Sequence, residues 1–143
     1  MADFSVTSTR VGEKVDTRWR AGKHGQNSAR SGQLDPSKFT SGTHYNIGGV
    51  TDNVIPSGVA LGIITASGLY GPYDSTAVDG RNKLAGYIND DAGVSLGANP
   101  ATAKPTVAVL VHGIVKASLL PIAAQRAAVL TATATASIVY VED

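Results

Sequence analysis

The chain has no cysteine, one tryptophan and one methionine. Without thiols there is no disulfide, no thiolate metal site and no thiol nucleophile. Charge is scarce as well: 16% of residues are Asp, Glu, Lys or Arg, where about a quarter is usual. A lightly charged surface suits a protein much of which is covered by partners. The formal net charge of +1 gives no global field that would draw in nucleic acid or a membrane. Long apolar runs are missing too. The longest, Val107 to Val111, is far too short to span a bilayer. The opening residues, MADFSVTSTRVGEK, have no apolar signal-peptide core. The expectation is a chain made in a cytoplasm-like compartment that reaches its destination by assembly rather than secretion.

Motifs of chemistry are also lacking. There is no nucleophile elbow, P-loop or dinucleotide fingerprint. His24, His44 and His112 have no second ligand at metal spacing, so no metal motif exists. His24 and His44 read as solvated or interface histidines, and His112, between Val111 and Gly113, as a satisfied, partly buried one. Asp90 and Asp91 beside Gly93 read as a solvated turn rather than a cation site. No cofactor and no enzymatic activity are expected.

What remains is a chain of 143 residues, enough for one domain with a real core. Its character changes near Gly48-Gly49. Residues 1–50 hold seven basic and four acidic residues, a net of +3, and residues 51–143 hold five basic and seven acidic, a net of −2. The stretch RWRAGKHGQNSARSGQLDPSKFTSG, residues 18–42, is polar and nearly free of aliphatics except Leu34. Alone it cannot bury enough apolar area to offset its ordering entropy. Residues 1–50 therefore read as an extended arm that needs a partner, and residues 51–143 as a β-rich domain.

Within the arm, FSVTSTRV alternates. Phe4, Val6 and Arg10 fall on one side and Val11 on the other, a pattern suited to pairing with a sheet edge. Arg18-Trp19-Arg20 carries the residue types most enriched at interface hot spots. It reads as an exposed anchor for a pocket on an acidic or mixed surface. Nucleic acid is a rival target, with Trp stacked on a base and Arg on phosphate. The interleaved Glu13 and Asp16 argue against it.

In the domain, residues 59–65 read as a strand interrupted by Gly62, a bulge or a close backbone approach. Residues 69–73 and 84–88 read as neighbouring strands across a polar connection turned at Asp79-Gly80. Residues 94–96 read as a brief strand. TVAVLVHGIV places Val107, Val109, Val111 and Val115 on one face, and Ala108, Leu110 and Ile114 on the other. Both faces are apolar, as in a strand buried on two sides. Residues 122–130, IAAQRAAVL, predict a short helix. TATATAS is open between strand and helix, and residues 138–143 read as a final strand. The class is β-rich with one short α-helix (α+β).

The run PSGVALGIITASGLYGPYD…DGRNKLAGYIND…AVLVHGIVKASLLP resembles the head decoration proteins of tailed bacteriophages, the family that includes the phage lambda capsid-stabilising protein. The resemblance covers roughly residues 54–121, with a weaker fit through IVYVE, and is most specific in GLYGPYD and VLVHGIVKA. It implies a β-tulip-like fold and a homotrimer on the outer surface of the expanded capsid, at threefold and quasi-threefold positions. There it would clamp the major capsid protein against internal DNA pressure, with no direct contact to nucleic acid or membrane. It also implies an N-terminal arm that binds the capsid, here Phe4, Val6, Arg10, Val11, Arg18, Trp19 and Arg20. Leu69, Tyr70, Pro72 and Tyr73 become candidates for the trimer interface, where tyrosines give rigid area with a polar tip. The other reading of those tyrosines is that they cover their own core. A tail or fibre component, and a ligand-binding module, stay open as functions.

Overall fold

The computed structural model describes residues 16–23, 25 and 29–142. Its centre is a five-stranded antiparallel sheet in the order β1 (Arg30–Gln33), β7 (Thr106–Leu110), β5 (Gly86–Ile88), β3 (Ala60–Ile63) and β4 (Tyr70–Pro72). The two edges of this sheet meet. Leu34, next after β1, bridges Tyr70 of β4, and Asp35 N donates to Tyr70 O at 2.9 Å. The sheet thus curls towards a small barrel, which covers edges that would otherwise be open to other chains.

Two smaller ladders flank it. β2 (Val54–Ile55) pairs antiparallel with β6 (Val94–Ser95), and β8 (His112–Val115) pairs parallel with β9 (Ser137–Tyr140). One short helix, α1 (Ala123–Ala128), is tied to the central sheet by Gln125, which bonds Ala60 of β3. The chain is β-rich with one short α-helix, as its strand-like alternation and single Ala-rich segment predict.

Alternate residues of the central strands serve two separate cores. Leu61, Tyr70, Ile88, Val107 and Val109 belong to one apolar cluster. Ala60, Tyr73, Tyr87 and Leu110 belong to the other. This is why residues 107–110 are apolar on both faces: Val107 and Val109 fill one core and Leu110 the other, with Ala108 half-buried. The run does not continue as one strand. It breaks at Val111, whose carbonyl accepts from Ser137 N at 2.8 Å, and resumes as β8 beside the C-terminal strand.

Three expectations need correction. Residues 69–73 and 84–88 are not neighbours, because β4 and β5 flank β3 on opposite sides. TATATAS forms neither one strand nor one helix: Thr131 closes a 3-10 turn, Ser137 opens β9, and the residues between are irregular. It makes a single parallel bridge, Ala134 to Leu84, held by Leu84 N to Thr133 O and Thr135 N to Leu84 O. The third concerns the arm. From residue 16 onward its described part is built into the domain rather than standing off it. β1 is a strand of the central sheet, and Trp19, Leu34, Phe39 and Tyr45 are all buried in the two cores. The stretch is poor in apolar residues, but Trp19, Leu34, Phe39 and Tyr45 are large and each finds a pocket, while Ile47 stays open.

Gly62 is a close backbone approach, one of the two readings of its place in the strand. A Cβ there would lie 2.6 Å from Arg81 Cα and 2.7 Å from Arg81 O. Backbone cannot yield as a flexible side chain can. Gly62→Ala is expected to lower stability by about 1–3 kcal/mol, read as the shift in a denaturant midpoint.

Candidate interaction surface

The RWR segment is an internal staple. Trp19 is 1% exposed. Its indole Nε1 donates to Ser57 Oγ at 3.1 Å, and its ring lies 5.7 Å from that of Tyr87. Gly58, at φ +93, passes beneath the indole where a Cβ would come within 2.8 Å of ring atoms. The backbone is tied down as well. Ala21 N donates to Ile114 O at 3.0 Å and Lys116 N to Trp19 O at 2.7 Å, which adds this segment to the free side of β8. Trp19 is therefore not an exposed anchor.

The two arginines differ. The Arg20 side chain is 9% exposed. Its guanidinium lies 5.3 Å from the Trp19 ring centroid, donates to Asn89 Oδ1 at 2.8 Å and pairs with Asp91. Such a buried, multiply bonded cation fixes geometry and offers nothing to a partner. Arg18 is exposed and donates to both carboxylate oxygens of Asp16. Those hydrogen bonds hold the Asp16 carboxyl below its usual value.

The bend SGLYGPYD turns its tyrosines inward, one to each core. Tyr70 is 8% exposed and Tyr73 6%, and Pro72 is buried. With so little surface left, these three cannot form a trimer interface as the chain stands. Leu69 alone is half-buried. Tyr73 N donates to Ala60 O at 2.8 Å, and the Tyr73 carbonyl accepts from Gln125 Nε2 at 3.2 Å. Phe4, Val6, Arg10, Val11 and His24 lie outside the described residues.

His112 is exposed rather than partly buried. Asp90 Oδ2 accepts from Ala108 N at 3.0 Å and Asp91 pairs with Arg20. Among the described residues no group of three metal-capable side chains occurs, and no helix is long and apolar enough to cross a membrane.

His44 is half-buried. Its Nδ1 accepts from Thr40 N at 2.8 Å, and Phe39 meets its ring edge-on. Burial, with Arg81 nearby, holds its pKa below the ordinary histidine value. The unfolded chain therefore takes up a proton before the folded one does as pH falls. Stability contributed by neutral His44 is complete above the ordinary value and declines below it, towards the lowered folded value. Thermal melts between about pH 7.5 and about pH 5 should show this decline, and His44→Gln should flatten it relative to the parent chain.

Sequence reasoning missed one surface feature. A groove of about 200 Å³ opens beside the RWR segment. Its apolar lining comes from Ile47, Val50, Val54, Pro56, Leu119 and Pro121, and three carboxylates, Asp16, Asp52 and Asp91, line it too. The residues are far apart in sequence, so no local signal marked it. A second, broader hollow lies among Lys38, His44, Tyr73 and Arg81. There Arg81 and Lys38 both face Asp79, so its cations are already answered.

Comparison with protein-family models, with curated proteins and with solved structures finds no match to this chain.

Proposed function

We propose that this chain is a structural protein of a tailed-phage head. In this reading it decorates the outside of the expanded capsid as a homotrimer and stabilises the shell against internal DNA pressure. The two segments that carry the resemblance also carry the fold. GLYGPYD forms the strand where the sheet edges meet, and VLVHGIVKA forms the break from β7 to β8.

The observation that supports the reading best is apolar surface left open on a compact, lightly charged protein. Val78 is fully exposed, Val139 is 60% exposed, and Leu130, Val141 and Ile63 are also open. Val139 and Val141 lie two residues apart, on the outward side of the strand β9 whose Ile138 and Tyr140 pack inward. Among the described residues β9 pairs only with β8. Val139 on β9 and Val141 just past its end make a small open aliphatic pair, the kind of surface that a contact with another chain covers. In this reading β9 takes over the interface role first assigned to the tyrosines.

The mechanism is mechanical. Closed threefold symmetry repeats one modest contact three times. A trimer that binds only the expanded lattice stabilises that state by mass action. The first test is the oligomer itself. Sedimentation velocity should give a trimer for the parent chain and, for Val139→Asp, a monomer that circular dichroism shows to be folded, with a melting temperature lower by the lost association. A parent chain that sediments as a monomer would contradict the reading.

A further inference from the structure

The groove beside the RWR segment joins an apolar floor to an acidic rim, and neither the fold nor a trimer through β9 uses it. Its volume of about 200 Å³ has room for one large side chain and falls below the ~300–1,000 Å³ that drug-sized ligands fill. Ile47, at 38% exposed, is among the open large aliphatics of the molecule, while Val50, Val54, Pro56, Leu119 and Pro121 are half-buried. Water gains little by wetting such a floor, and an aliphatic side chain gains by leaving water to cover it.

The rim sets the charge of the occupant. Asp16 is answered by Arg18 and Asp91 by Arg20. Asp52 is exposed. Its Oδ1 accepts from Val54 N at 3.2 Å, and among the described residues no ion pair reaches it. A cation brought to the rim would meet this carboxylate, while a phosphate or a carboxylate would be repelled.

The wall is built before any occupant arrives. Asn46 and Asn53 both hold left-handed backbone, at φ +53 and φ +54. Their side chains clamp the loop between them: Asn46 Nδ2 donates to Asn53 Oδ1 at 2.8 Å, and Asn53 N to Asn46 Oδ1 at 2.9 Å. Asn53 Nδ2 also donates to Gly97 O at 3.0 Å. A preformed groove loses less ordering entropy on binding than a loose loop would.

We propose that this groove docks an extended peptide segment of a partner protein, which seats one large aliphatic side chain on Ile47 and Leu119 and sets a lysine or arginine beside Asp52. Capsid binding is not needed for this, and the site can be tested on the isolated full-length chain.

Trp19 supplies a reporter, because Ser57, which lines the groove, accepts the indole hydrogen bond. The probe is a short blocked peptide alternating lysine and leucine, titrated by calorimetry and by the emission of the single tryptophan. Two control peptides replace lysine with glutamate, or leucine with serine. Saturable binding is expected for the lysine–leucine peptide alone, weakening as salt rises. Ala92→Phe, at an exposed position of the groove wall, should weaken it about tenfold by filling the mouth. Asp52→Asn should weaken it about threefold. No saturation at millimolar peptide, equal binding of the glutamate peptide, or indifference to Ala92→Phe would each overturn the proposal. So would binding that appears only after residues 1–15 are removed, because the groove would then belong to the chain's own N-terminal segment.

Discussion

Trp19→Ala is expected to cost about 3–5 kcal/mol of stability, the range for emptying an aromatic side chain from a closed core. The ring is 1% exposed and sits with Tyr87, Leu110, Val115 and Leu120 in one cluster. Its loss leaves a cavity over Gly58, whose positive φ and missing Cβ exist to admit the indole. It also leaves Ser57 Oγ without its donor and Arg20 without the ring beneath its guanidinium. Arg18→Ala, next door, should change stability by no more than about 1 kcal/mol, because its exposed pair with Asp16 is screened by water. The pair of variants separates a core role from a contact role. Chemical denaturation followed by circular dichroism reads both, since the tryptophan signal is gone in one of them. A Trp19→Ala chain as stable as its parent would contradict the placement of the ring.

Gln125→Ala should be nearly as damaging, by about 2–5 kcal/mol, for a different reason. Gln125 is 5% exposed on α1. Its Oε1 accepts from Ala60 N at 2.9 Å. Its Nε2 donates to Ala60 O at 3.1 Å and to Tyr73 O at 3.2 Å. The side-chain amide thus bridges Ala60 N and the Tyr73 carbonyl, beside the backbone bond from Tyr73 N to Ala60 O. Ala60 O keeps the bond from Tyr73 N. Truncation leaves Ala60 N–H and the Tyr73 carbonyl buried and unsatisfied, which costs more than the hydrogen bonds contribute net.

Gln125→Glu sharpens the test. At about pH 7 the carboxylate can still accept from Ala60 N but cannot donate to Tyr73 O, and its buried charge is unpaired. Burial raises the folded pKa of that glutamate, so the folded chain binds the extra proton more tightly than the unfolded chain. Stability of this variant should therefore rise as pH falls. Melting curves at two pH values give the answer. A Gln125→Glu chain whose deficit does not shrink in acid would contradict the hydrogen-bond account.

The parts of the fold that show in the sequence are those with local signals. Val107 to Leu110 is apolar at every position, and only a strand covered on both faces uses such a run. Gly62 marks the backbone crossing of Arg81, and IAAQRAAVL marks the helix. The parts that do not show depend on pockets supplied from far away. Trp19 looks exposed because its neighbours are polar, and its pocket comes from Ser57 and Gly58, with β8 and Leu120 beyond them. Phe39 and Tyr45 sit in a stretch whose average composition is that of a loop, yet each packs into the core. The tyrosines of GLYGPYD are large and lie on a bend. A bend can present side chains outward or fold them onto two cores, and distant residues decide: Leu34 bridges Tyr70, and Gln125 bonds the Tyr73 carbonyl. Gln125 is one more polar residue of an Ala-rich helix until Ala60 and Tyr73 are placed beside it. The groove is assembled from four separate stretches, so no window of sequence contains it.

The burial of Trp19, Leu34, Phe39 and Tyr45 also changes how the proposed function should be tested. Removing residues 1–50 would delete β1, Trp19 and Leu34 and so destroy the domain along with any arm. The measurement to make is co-sedimentation of the intact chain, and of a chain lacking residues 1–15, with shells of the phage's major capsid protein before and after expansion. Capsid decoration predicts saturable binding of the intact chain to expanded shells alone, at one trimer per threefold position, with weaker binding of the shortened chain. No binding to expanded shells by an intact, folded chain would contradict it.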